Sequence, residues 1–161
     1  MITDEVNSSS EATSLRRELL LRILFQNALL VISVGLFTAF SIVAALAPAT
    51  AWPLTVAHNS VILAAALQWC HHGVRTKNLK EYLLLIDPRE EGWERWLPAN
   101  RPKALLGSRW MISTKGVFLG LGLSNVILAA LLTPTFTLLP GLLSAGLWLA
   151  TAGFLITNPK E

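Results

Sequence analysis

The chain has 161 residues, of which 53% are hydrophobic and only 14% charged, where soluble domains carry about a quarter. This balance, with a mean hydropathy of +0.53, excludes a disordered chain and argues against an ordinary water-soluble domain. One cysteine excludes an internal disulfide, and the net charge of +3 is small but unevenly placed.

In chain order, residues 1–14 are small, polar and acidic. They lack the basic start and cleavage site of a secretory signal, so a short disordered tail is expected, with Ser14 as N-cap of the first helix. Residues 15–71 read as a first transmembrane hairpin. Its apolar runs cover about 23–47 and 54–70, joined by the proline-bearing turn Pro48 to Pro53. The first run exceeds and the second approaches the roughly 20 residues that a bilayer core requires. Residues 72–109 form the longest polar stretch, and residues 110–157 read as a second hairpin, broken near Pro134. Lys115 lies near the start of that hairpin, where its stem can snorkel to the headgroups. Residues 158–161 are a C-terminal tail.

Charge sets the expected orientation. Arg16, Arg17 and Arg22 precede the first run; Arg75, Lys77, Lys80, Arg89, Arg95, Arg101, Lys103, Arg109 and Lys115 lie between or beside the second and third; Lys160 follows the fourth. Both short turns are free of charge. Basic residues stay on the cytoplasmic side, so both termini are expected in the cytoplasm of a bacterial inner-membrane protein. The fold class is therefore all-α: four transmembrane helices as two hairpins, N-in and C-in, with a helical cytoplasmic loop between helices 2 and 3.

Within that loop, Leu79, Tyr82, Leu83 and Ile86 share a helical face with no breaker before them except Gly73, so the second helix is expected to project beyond the membrane. Asp87, Pro88 and Glu90 then form a helix restart: a cap, a proline at the first position and an acid three residues on. Trp93 and Trp96 point the same way from that short helix. They serve either as a docking surface or as an interfacial anchor. The basic surplus of the loop suits anionic lipid headgroups. It carries no phosphate-binding glycine loop or RNA-binding aromatic pattern, so nucleic acid is not an expected partner.

Polar groups inside apolar runs mark contacts or paths, because hydrocarbon offers them no partner. His58, Gln68, His72 and Arg75 fall within about a 100° arc at 100° per residue, giving a polar face expected to point into the bundle or toward a subunit. Gln26 and Asn27 open the first run, His58 and Asn59 lie in the outer part of the second, and Asn125 stands beside Ser124 in the third. Gly116, Gly120 and Ser124 in the third run, and Gly141 and Ser144 in the fourth, are small residues at helical spacing that permit close helix packing.

No constellation for catalysis emerges. Cys70, His71 and His72 are consecutive, so their side chains diverge by about 100° each on a helix and chelate poorly. The apolar runs contain no Asp or Glu. No enzyme activity, cofactor or metal is expected.

The entry Arg17-Glu18-Leu19-Leu20-Leu21-Arg22-Ile23 with Gln26 and Asn27, the exit Trp69, His72 and Arg75, and Glu81-Tyr82 followed by Gly92-Trp93-Glu94 and Trp96 resemble a loosely defined group of small uncharacterised bacterial multispan inner-membrane proteins. The resemblance covers residues about 16–98. In size and layout the group is similar to small membrane effectors of bacterial defence, which oligomerise and permeabilise membranes; this chain departs from two-span effectors in its second hairpin. The resemblance implies a non-enzymatic protein that self-assembles or joins other membrane subunits, either as a pore-like effector or as a scaffold docking a partner through its loop. A small transporter is a further alternative.

Overall fold

A computed structural model describes residues 2–86, 114–133 and 138–157. Helix α1 spans Ile2–Leu46, a 3-10 turn spans Pro48–Thr50, and α2 spans Ala51–Ile86. Helix α3 spans Thr114–Leu132 and α4 spans Leu138–Thr157. All four are long and apolar enough to cross a membrane, so the chain has the build of a multi-pass membrane protein. Outward-facing leucines such as Leu46, Leu131 and Leu139, each more than two-thirds exposed, fit a surface solvated by lipid rather than water.

The connection between α1 and α2 shows why one helix stops and the next starts. Pro48 takes the first position of the 3-10 turn, where its missing N–H has no cost. Ala47 N–H still donates to Val43 O, and Ala47 O then accepts from Thr50 N–H and from Thr50 Oγ1 at 2.8 Å. Pro53 follows in the first turn of α2, the part of a helix that tolerates proline.

Helix α2 is the hub: it packs against α1, α3 and α4. Three apolar clusters stack along it. At the turn end, Ala44, Ala51, Trp52 and Ala129 pack with Leu54 and Leu132. At the middle level, Ile62, Ala65, Ala66, Trp69 and Cys70 meet Phe118 of α3 and Leu155 of α4; Trp69 meets Phe118 edge to face at 6.4 Å. Among the described residues, only α1 and α2 continue beyond that level. There Ala12, Leu15 and Leu19 close on Leu79 and Leu83, spaced three and four apart as a helix–helix seam requires.

Helix length explains this asymmetry. At 1.5 Å per residue α3 and α4 are about 30 Å long, matching a bilayer core, whereas α1 is about 67 Å and α2 about 54 Å. The excess of both emerges at one end, since the turn joins them at the other. The result is a two-helix stalk. Tyr82 Oη donates to Glu11 Oε1 at 3.1 Å near its tip, and Gln26 Nε2 donates to Trp69 O at 3.1 Å at its root. Arg16, Arg17, Arg22, Arg75, Lys77, Lys80 and Lys115 all lie toward this end.

The expected disordered tail over residues 1–14 is not seen. Helix α1 begins at Ile2 and runs through Ser14 without a break. No Gly or Pro interrupts the chain before Gly35, and the continuation of α2 supplies the partner that a lone polar segment would lack: Ala12 is buried at 6% exposure. The projection of α2 beyond the apolar run agrees with the unbroken helix to Ile86. The expected restart at Asp87, Pro88 and Glu90 lies outside the described residues.

Candidate functional site

About two turns in from the 3-10 turn, all four helices contribute a polar group to one junction. His58 and Asn59 come from α2, Asn125 from α3, Ser33 from α1 and Ser144 from α4. All five are buried at 4% exposure or less. His58 Nε2 lies 3.1 Å from Ser33 O, and Asn125 Nδ2 contacts His58 Nδ1. Asn125 Nδ2 also donates to Asn59 Oδ1 at 3.3 Å, and Asn59 Nδ2 donates to Ser144 O at 3.3 Å. Thr55 Oγ1 adds a bond to Asn125 O at 3.3 Å.

The direction of every bond in this chain follows from its two ends, both of them backbone carbonyls, which only accept. Ser144 O requires the amide NH2 of Asn59 to face it, turning Asn59 Oδ1 to Asn125. Asn125 must then present its NH2, whose two hydrogens serve Asn59 Oδ1 and His58 Nδ1. At the far end Ser33 O requires a hydrogen on His58 Nε2. The imidazole is thus neutral, protonated at Nε2, with Nδ1 accepting. The ring sits between Phe37, tilted at 6.0 Å, and Phe40, edge-on at 5.6 Å.

Local sequence makes room for this arrangement. Ser33 Oγ returns its hydrogen to Leu29 O at 2.8 Å, leaving the Ser33 carbonyl to His58. On α3, Gly122 lets α4 approach: a Cβ there would stand 2.8 Å from Trp148 Cδ1. Trp148 Nε1 meanwhile donates to Leu119 O at 3.0 Å. The buried residues of α3, Phe118, Gly122, Asn125 and Ala129, repeat every three or four positions and form the face that meets the bundle.

The sequence-predicted residues divide. Of the polar face His58, Gln68, His72 and Arg75, only His58 enters the interior; Gln68 and Arg75 are exposed and His72 is half-buried. His72 stacks on Phe25 at 6.0 Å and 12°. Of the small residues, Gly141 and Ser144 are buried in the bundle, whereas Gly120 and Ser124 are exposed and Gly116 partly so. No atom lies within 4 Å of a Cβ placed on Gly120. The face of α3 used inside the chain is therefore the neighbouring one. Trp93 and Trp96 lie outside the described residues.

The junction has no free general base. The acceptor nitrogen of His58 is already engaged by Asn125, and Ser33 Oγ is engaged by its own helix. Cys70 is buried while the adjacent His71 is exposed, so these neighbours do not converge. Among the described residues no group of three His, Cys, Asp or Glu side chains could hold a metal ion. The arrangement fixes helix register: each donor finds its acceptor only when the four helices hold one relative height.

Asn59 and Asn125 were visible in the sequence as polar residues within apolar runs, but nothing joined them. Their depth was the available signal. His58 lies seven residues after Ala51 and Asn125 seven before Leu132, so both sit about 10 Å from the same end. No family model, curated protein or solved structure matches this chain.

Proposed function

We propose that the protein is a non-enzymatic assembly subunit of a bacterial inner membrane. In this reading it associates with copies of itself or with other membrane subunits, and docks a partner through residues 72–109. The carrying observation is the two-helix stalk. It rises beyond α3 and α4 on its own apolar seam, yet keeps large apolar side chains outward near its tip: Tyr82 is 45% exposed and Leu85 78% exposed. Apolar groups at that height lie beyond the hydrocarbon and favour a covering protein surface.

The stalk end carries the basic residues and the α1–α2 turn carries none, which supports both termini and the stalk being cytoplasmic. The same basic residues suit contact with anionic lipid headgroups. The exposed Gly120 and Ser124, with the partly exposed Gly116, suit close approach of a further helix in the membrane. The engagement of His58 within one chain favours this reading over a pore in which that residue would line an axis between subunits.

Native mass spectrometry of the protein extracted from its own host membranes tests the proposal. A homo-oligomer or a complex with a second subunit is expected. Replacing both Trp93 and Trp96 by alanine is expected to release the docked partner while membrane association persists. A lone monomer that depolarises cells on expression would overturn the reading and return it to a pore.

A further inference from the structure

Between the turn end and the polar junction, α1, α2 and α3 leave a recess with a volume of about 10 Å³, lined by Phe40, Ser41, Ala44, Thr55, Asn125 and Ala129 among others. That room is close to what one water molecule needs. Ser41 supplies the reason to expect one. In the described helices Ser33, Thr38, Ser60, Thr151 and Thr157 each return their hydroxyl to the carbonyl four residues back. This is the ordinary way for a hydroxyl to be satisfied in a membrane helix. The Ser41 Oγ atom is buried with no hydrogen-bond partner, and Ser41 lines the recess.

We propose that this recess is a binding site for a single water, held by Ser41 of α1 and bridging it to Thr55 of α2. Such a water needs two to four polar partners, and two are present. Ser41 Oγ can donate and accept. Thr55 Oγ1, which donates to Asn125 O, keeps acceptor capacity, while Asn125 O is filled by that bond and by its own helix. The site is reachable: Ser41 lies five residues before the end of α1, about 7.5 Å from the turn level. The water would tie α1 to α2 on the turn side of His58, beside the apolar contact that Ala44 makes.

The test is a high-resolution structure of the full chain in lipid or detergent, with two variants. Ordered density within about 3 Å of both Ser41 Oγ and Thr55 Oγ1 is expected in the wild type. Ser41→Thr, which keeps a hydroxyl, is expected to retain it. Ser41→Val, which matches threonine in shape, is expected to lose it with the helices unmoved. The proposal is overturned if Ser41 Oγ instead bonds the Phe37 carbonyl, if a lipid tail or side chain fills the recess, or if the density persists in Ser41→Val.

Discussion

Asn125 makes more of the junction than any other residue, because its two amide hydrogens serve Asn59 and His58 while its carbonyl receives Thr55. Replacing it by leucine leaves His58 Nδ1 and Asn59 Oδ1 without donors in a setting that offers no substitute. Interhelical hydrogen bonds in membranes average about 0.6 kcal/mol and reach about 1.7, and an orphaned buried group costs about 1–3. A loss of about 1–3 kcal/mol is expected for Asn125→Leu, read as a lower melting temperature in mild detergent. A double-mutant cycle with His58→Leu should show coupling, since the second change removes one of the orphaned acceptors; strict additivity would argue against the bond. Gly122 fails by another route. In Gly122→Ala the new methyl meets the Trp148 indole at 2.8 Å, and the ring cannot swing away without losing its bond to Leu119 O. Overpacking of this kind costs about 1–3 kcal/mol, whereas Gly120→Ala, which meets nothing within 4 Å, should leave the melting temperature of the isolated chain unchanged.

At the scale of the elements, the stalk is the part most open to perturbation. Its seam rests on few side chains, with Ala12, Leu19 and Leu83 at its core, and its surface pairs add little. Lys77 and Glu81 are 4.0 Å apart with side chains about 60% exposed, so water screens them. Leu83→Ala is expected to loosen the stalk alone. Hydrogen exchange should rise over residues 11–22 and 75–86 while the middle of α3 stays protected; uniform protection would mean that the seam is not what holds the two helices together. The four apolar helices were legible in the sequence because each run is long and uninterrupted. The start of α1 was not, because the polar residues 2–14 contain no local signal for a helix whose support comes from Leu79 and Leu83 some 65 positions away. For the same reason Gly116, Gly120 and Ser124 read as a seam by spacing, yet the chain packs the face carrying Gly122 and Asn125. Periodicity marks which residues share a face but not which of two faces a neighbour takes.

For the molecule as a whole, the separation of its charge predicts its orientation. In a variant with Cys70→Ala, a cysteine placed at Ala49 in the turn should react with a membrane-impermeant maleimide added to intact spheroplasts. A cysteine placed at Lys77 in the stalk should react only after the membrane is opened. The reverse pattern would overturn the proposed topology. The exposure of Gln68 and Arg75, against the burial of His58, could not be foreseen from an arc on a helical wheel. Lower on α2, α1 is the only described helix left beside that face, since the described parts of α3 and α4 end near the level of Trp69.

The sequence distance within the polar junction has a consequence for how the protein is made. Asn125 lies 67 residues after His58, and Ser144 lies 85 after Asn59. During synthesis the first hairpin, with its stalk, is complete while those partners are still untranslated. An imidazole and an amide must therefore enter the bilayer with only α1 beside them. Helix α2 is the least apolar of the four spans, so it gains its place as a passenger of α1, and the arrival of α3 and α4 converts a tolerated insertion into a locked one.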